Sequence, residues 1–334
     1  MDRRQSLARM AGAAAAAAAA AGSVAGHTVP AETTSAGGAG GAARAPDAVL
    51  DAGLDLVSPA GQLNAFLKIF VSRRPETIWY WYTGILDAAL PGRTVVPLVA
   101  CDTLIRREVL PQPDGSVAVR TFEANFFRLR DQPQPLEWFD NPLNGRRVEP
   151  LHYREGPHFL VLSDRAPKFV AGHDPAQIRI STADRAASPP LALRWQRAGS
   201  QLWVTRETYS DAPHPLDPSV WRLESSGARQ SGGSFANYFA DAAQVTEPTR
   251  DRVDCGFAYQ AIFGWWPWLL MGQAPGQLFW RAQGRKLATV ADVPSQSRAG
   301  FEKLHPQIFA SGLPWTEPAS MWRDFPRLRR PTAE

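Results

Sequence analysis

Tyr80 and Tyr82 stand two residues apart in the run TIWYWYTGILD, residues 77–87. Side chains alternate between the two faces of a strand. Both phenols are therefore expected on one face with Gly84 and Leu86, and Trp79, Trp81, Thr83, Ile85 and Asp87 on the other. Two inward phenols can donate hydrogen bonds to a carbonyl of a bound molecule. His152, with Glu149 before it and Tyr153 after it, ends a second strand-like segment. An imidazole titrates near neutrality and suits acid or base work. His152, Tyr80 and Tyr82 are thus the candidate catalytic groups, set against plainer roles as a hydrogen-bonded structural histidine and two core tyrosines. Glu123, Glu207 and Glu224 interrupt apolar or small-residue segments. A buried carboxylate is costly unless paired or functional, so an outward, solvated position is expected for each.

Twelve tryptophans make aromatic walls the second theme. In GWWPWLLMGQAPGQLFW, residues 264–280, Trp265, Trp266 and Trp268 flank Pro267, and Gly272, Pro275 and Gly276 interrupt the remainder. The segment can plug a core or line a pocket where glycines allow close approach. Trp79, Trp81, Trp138, Asn141, Trp265 and Trp268 are the candidate ligand-binding residues. Five of the six histidines, His152, His158, His173, His214 and His305, are scattered behind the leader, and no HExxH or paired-cysteine spacing occurs, so no metal site is expected. GxSxG and GxGxxG are absent, and Ser231-Gly232-Gly233-Ser234 has no phosphate-loop lysine. No cofactor is expected. Cys101 and Cys255 lie in apolar segments, as two buried thiols or as a bridge in an oxidising compartment.

These residues need a β scaffold. Twenty-nine prolines imply many short elements joined by turns. Leu63, Phe66, Leu67 and Phe70 recur at helical spacing behind Pro59, so residues 59–72 read as a helix. Strands are expected at 77–87, 94–110 and 117–130, the last two joined by the turn Gln112-Pro113-Asp114-Gly115. Short strands are expected at 136–139, 147–153 and 158–163, with the tight turn Asn141-Pro142-Leu143-Asn144-Gly145 between the first two. Residues 190–196 and 201–208 form a hairpin across Gly199-Ser200, and 233–241, 253–263 and 276–282 complete the set, before a helix at 295–310. The fold class is mainly β: an antiparallel meander closing into a calycin/lipocalin-like barrel, or alternatively a β-sandwich, with a short N-terminal helix and C-terminal helices.

EWFDNPLNGRRVEPLHY at 137–153, the 264–280 segment, LKIF and IWYWYTGILDAALPG within 67–92, and SGLPWTEPASMW at 311–322 together resemble the bacterial and fungal family called domain of unknown function 1838. The likeness spans essentially the whole chain behind the leader. It implies a twin-arginine leader, which members often carry, and no activity or catalytic residue to transfer. Where members commonly have Asn-Asp-Pro-Val, this chain reads Arg154-Glu155-Gly156-Pro157-His158.

The leader is legible on its own. Arg3 and Arg4 precede an alanine-rich stretch from Ala11 to Ala21, and Ser23-Val24-Ala25 is a small-x-small cleavage site. Residues 1–25 are expected to be a twin-arginine signal peptide, 26–46 a disordered linker and 47–330 a single β-rich domain. The translocase is the expected partner during export, and the cleaved protein is expected to be periplasmic or secreted. The stretch is too short and weakly apolar for a stable membrane span. Losing Arg3, Arg4, Arg9 and Asp2 lowers the net charge from +4 to +2, and no basic run suggests a nucleic-acid partner. Three functions stay open. The first is binding of a small apolar or aromatic molecule in a Trp/Tyr-lined cavity. The second is a cofactor-independent acid–base enzyme (isomerase, cyclase or hydrolase), and the third a structural or partner-binding envelope protein.

Overall fold

The computed structural model describes residues 54–171 and 187–333. The expected signal, 1–25, and linker, 26–46, lie outside the described residues, as does His173. Five strands from the earlier part of the chain make one side of a sheet: β1 (Thr77–Ala89), β2 (Val96–Pro111), β3 (Val117–Arg128), β6 (Arg154–Leu162) and β7 (Lys168–Ala171). Five more come from the later part: β8 (Arg194–Ala198), β9 (Gln201–Pro213), β10 (Arg229–Asp241), β11 (Gly256–Phe263) and β12 (Gln277–Leu287). They form one ten-stranded sheet in the order β7-β6-β3-β2-β1-β12-β11-β10-β9-β8, with every pair antiparallel. This is the mainly-β antiparallel meander read from the sequence, built as one sheet and not as two stacked sheets. The first and last long strands, β1 and β12, meet at its middle and join the two halves.

The sheet curls into a half-barrel. Strands are spaced about 4.8 Å apart, so β2 and β9, five positions apart, would lie roughly 24 Å apart if the sheet were flat. Instead Arg107 of β2 and Arg206 of β9 both lie over the ring of Phe70, at 4.1 and 5.1 Å from its centroid. The outermost strands, β7 and β8, form no ladder with each other among the described residues.

Phe70 belongs to helix α1 (Pro59–Phe70), which lies in the concavity. Ser58 caps its start by accepting from the Gly61 N–H, and Pro59 occupies its first turn. Phe66 and Phe70 stack on each other and meet Tyr238 edge-on. The carbonyls ending a helix need donors. Lys286 Nζ donates to Lys68 O and Val71 O at 2.8 and 3.1 Å, and Tyr80 Oη is 3.0 Å from both Ile69 O and Phe70 O. Lys68 in turn donates to Val245 O and Glu247 O at the end of α2 (Ala242–Thr246).

The convex face is also covered. Helix α3 (Ser295–Leu304) packs Phe301 against Phe126, Phe309 stacks on Trp79, and Trp315 meets Phe122 edge-on. Buried Asp102 ties this layer down. Its carboxylate accepts from Arg128 Nε at 3.1 Å, from Ser297 Oγ of α3 at 2.6 Å and from the Thr83 hydroxyl. Helix α4 (Met321–Leu328) closes one end, with Trp322 against His214 and Phe325 against Trp221.

The two expected elements that differ most are 295–310 and 147–153. Residues 295–310 read as one helix, but α3 ends at Leu304 and gives way to a 3-10 turn, Pro306–Phe309, because Pro306 has no N–H to continue the ladder. Of 147–153 only Arg147–Val148 is paired, as β5 with β4 (Phe139–Asp140) in a separate small ribbon. Beyond Pro150 the chain returns to β3 through mutual Asn125–Tyr153 backbone bonds. Cys101 and Cys255 are both buried and unbridged.

Candidate functional site

Register sets out the concave face row by row. Arg107 of β2 pairs with Thr121 of β3, which pairs with His158 of β6. In the next row Tyr80 pairs with Ile105, Ile105 with Glu123, and Glu123 with Glu155. In the third, Tyr82 pairs with Thr103 and Thr103 with Asn125. Across the seam, Phe257, Tyr259 and Trp280 complete an aromatic wall, with ring centroids 5.1, 6.2 and 5.9 Å from Tyr82. Trp266 meets Trp280 edge-on, and Trp268 lies 5.0 Å from Phe127. An aromatic concavity therefore surrounds a buried polar centre.

The centre is expensive. Arg107, Glu123, Glu155 and His158 are 1, 2, 5 and 6% exposed. Asn125 donates to Glu123 Oε1 at 3.0 Å while accepting from the Thr103 hydroxyl at 2.6 Å. Burial pushes the Glu123 carboxyl up to about 7, with the Asn125 bond and the Arg107 charge pulling the other way. Burial and the Glu123 charge raise Glu155 well above the carboxylate range. Burial, then the charges of Arg107 and Arg206, push His158 down to about 3, so its ring is neutral. Burial keeps the Tyr82 phenol protonated.

Several buried polar atoms here have no partner. They are Arg107 Nε and Nη1, His158 Nε2, Tyr82 Oη, and Nε1 of Trp268 and Trp280. The Thr103 hydroxyl, which donates to Asn125, neighbours the Tyr82 phenol and keeps lone pairs that can accept from it. Buried polar groups are ordinarily paired, so each exception asks for a reason. The set is dominated by groups that can only donate, the guanidinium and the two indoles. A molecule with acceptor oxygens complements it.

The residues singled out from the sequence divide between this centre and other places. Tyr82 and Trp268 are in it. Tyr80 is beside it, but its hydroxyl is committed to the end of α1. Trp79 and Trp81 are on the convex face, packed with the cluster of Leu104, Phe122 and Phe126. Trp265 donates to Ala274 O at 2.7 Å, and Asn141 donates to Leu269 O at 2.9 Å, so both brace the 264–276 segment. Trp138 is half exposed, with Arg147 over its ring. His152 is apart from the tyrosines. Its Nδ1 accepts from the Phe127 N–H at 3.1 Å and its Nε2 lies 2.8 Å from Leu136 O. With both nitrogens held by the backbone, and burial lowering its pKa, the ring fixes the 136 loop to β3. His152 and Trp138 flank an open surface cleft of about 400 Å³. Another cleft, of about 650 Å³, is lined by Asp241, Asp254, Cys255, Arg285 and Lys286, and carries none of the unpartnered atoms.

Two of the three expected outward glutamates are overturned, and the first is Glu123, which faces inward. Glu224 is also buried, where it accepts from the Thr332 N–H at 2.7 Å. Glu207 is outward, paired with Arg194. Arg107, Glu155 and His158 carried no motif. The one signal for the last two was the departure at 154–158 from the family's usual run. Among the described residues no three His, Cys, Asp or Glu side chains gather as a metal set, and no helix is long and apolar enough to cross a membrane.

The Glu123 environment predicts a pH dependence. Its carboxyl titrates near 4.5 when unperturbed and at about 7 in the fold. The folded chain therefore binds more protons between those values, and stability falls as pH rises through that window. At about 1.4 kcal/mol per unit the loss amounts to roughly 3 kcal/mol by pH 8. Glu123→Gln is expected to gain midpoint over wild type in urea as pH goes from 5 to 8. Curves that stay parallel over that range would disprove the assignment. His158, depressed in the fold, contributes with the opposite sign below pH 6.5 in both proteins, so it largely drops out of the difference.

The family model described as protein of unknown function (DUF1838) matches residues 75–327. No curated protein matches the chain. Among solved structures, the LolA superfamily protein NE2245 from Nitrosomonas europaea is similar at 10% identity, over 69% of this chain and 94% of that one, with a TM-score of 0.15. That likeness is too slight to carry a fold or a ligand across.

Proposed function

The chain belongs to the DUF1838 family, whose description assigns no activity, and we propose that it binds a small molecule with an apolar or aromatic body on the concave face of its half-barrel. One observation carries this reading: the unpartnered buried atoms of Tyr82 and Trp280 lie within one aromatic wall, which Trp268 joins through Phe127 and Trp266. Ligand pockets combine such walls with a few polar anchors. The neutral aromatic probe N-phenyl-1-naphthylamine is expected to bind saturably, with rising probe emission and falling tryptophan emission. Tyr82→Phe is expected to weaken carbonyl-bearing competitors about 2- to 10-fold, the worth of one hydrogen bond. A flat response to the probe and to a broad lipid and aromatic library would overturn the reading, and would favour a structural or partner-binding role.

A second reading is a cofactor-independent acid–base enzyme. The facing carboxyls Glu123 and Glu155 favour it, with Tyr82 beside them. Perturbed carboxyls concentrate at reacting sites. Glu123→Gln would then abolish turnover while leaving probe binding intact, and turnover that survives would remove this reading. Export through the twin-arginine translocase to the periplasm or beyond is proposed on Arg3-Arg4 and the segment after it. A reporter fused behind residues 1–30 should leave the cytoplasm, and Arg3→Lys with Arg4→Lys should retain it. Equal export of both would refute the assignment.

A further inference from the structure

We infer that the bound molecule is an organic acid whose carboxylate is held by the edge of the Arg107 guanidinium, with His158 as a second contact. The inference rests on the binding reading above and names the ligand's polar end.

A guanidinium does not lose its charge in a protein. Arg107 is 1% exposed and has no carboxylate partner within ion-pair distance among the described residues. Its guanidinium lies 4.1 Å from the Phe70 ring centroid and 4.6 Å from that of Tyr80. Stacking on rings uses the planar face and leaves the N–H edge. At the rim of the guanidinium, Nε and Nη1 have no acceptor. Nε and Nη1 point to different edges of the guanidinium, so each offers one charge-assisted N–H to a carboxylate oxygen. An uncompensated buried charge costs several kcal/mol, so the arrangement is intelligible as one half of a pair completed by a ligand.

The neighbours narrow the anion. Glu123, the nearest carboxyl by register, is bonded to Asn125. Glu123 and Glu155 line the next row. Two acids beside the guanidinium disfavour a dianion such as a phosphate monoester and admit a monoanion. His158, two strands from Arg107 in the same row, offers an unpartnered Nε2 on a ring kept neutral. It can donate to the second oxygen without adding charge. From the Arg107 row to the Tyr82 row is four strand residues, roughly 13 Å. Phe257 lies in that row across the seam, and Tyr259 and Trp280 lie beyond it. The ligand is therefore a medium-length or aromatic carboxylic acid with its tail on this wall.

The test is displacement of N-phenyl-1-naphthylamine from the full-length protein at pH 6 by decanoate and by 1-decanol. Wild type is expected to bind decanoate at least about 10-fold more tightly than decanol. Arg107→Met should cost decanoate about 10- to 100-fold, the range for hydrogen bonds to a charged group, and leave decanol unchanged. His158→Phe should cost decanoate less. The acid–alcohol comparison needs no variant, so it stands even if Arg107→Met fails to fold. Equal affinity of wild type for both overturns the anionic head while the binding function survives. Failure of the probe itself to bind overturns both.

Discussion

Asp102→Ala is expected to lower the unfolding free energy by about 3 kcal/mol, which for a domain of this size is roughly 6–12 °C in Tm. Asp102 is 2% exposed and holds three partners from three parts of the chain: Arg128 of β3, Thr83 of β1 and Ser297 of α3. Removing the carboxylate strands a partly buried guanidinium and two hydroxyls. Arg128 keeps carbonyl contacts to Leu129 and Arg130, which is why the effect belongs at the low end of the range for breaking buried pairs. Asp102→Asn retains the acceptor for Ser297 and should fall between wild type and Ala. Urea unfolding with an unchanged slope measures both. A loss below about 1 kcal/mol would mean that the network is peripheral to stability.

The second large effect is expected at the seam between the halves, and its sign is diagnostic. A glycine inside a strand costs about 0.5–1 kcal/mol relative to alanine, so on propensity alone Gly284→Ala stabilises. The local packing argues otherwise. A Cβ on Gly284 would stand 2.1 Å from Trp81 O and 2.4 Å from Tyr82 Cβ. One on Gly84, across the same pairing, would stand 2.2 Å from Arg281 O and 2.5 Å from Ala282 Cβ. Backbone lies on the other side of each contact, so neither can be relieved by turning a side chain. Gly284→Ala is therefore expected to destabilise by about 3 kcal/mol, at the upper end of overpacking penalties. It should also weaken probe binding, because the Tyr82 phenol sits on the strand it would push. A rise in the denaturation midpoint would overturn this account.

Strand succession was readable because turns such as Gln112–Gly115 and Gly199-Ser200 carry their own chemistry, and because β1 is β-branched and aromatic throughout. The face of each residue was harder. Helices and loops cover both faces of β2 and β3, so the polar–apolar alternation that distinguishes in from out is lost. In β3, Phe122, Ala124 and Phe126 go one way and Thr121, Glu123 and Asn125 the other, and all six are buried. Glu123 therefore read as a solvated interruption. The meeting of residues from β2, β6 and β9 around α1 depends on how far the sheet curls, which no local pattern encodes. The surroundings of His152 were hidden for a different reason. Its type suggested acid–base work, but its two nitrogens serve backbone groups at 127 and 136 that a linear reading does not bring near it.

The pairing of β1 with β12 has a consequence for how the chain is made. Residue 89 leaves the ribosome long before residue 277 is added, and at 5–20 residues per second the interval is roughly 10–40 s. Throughout it, β1 presents an open hydrogen-bonding edge, and the aromatic wall has only its first half. Such an edge invites pairing with other chains, and the long sequence separation of the seam makes its closure slow. Nascent chains stalled before residue 277 should therefore engage chaperones and resist folding, whereas the completed chain acquires its central contact last.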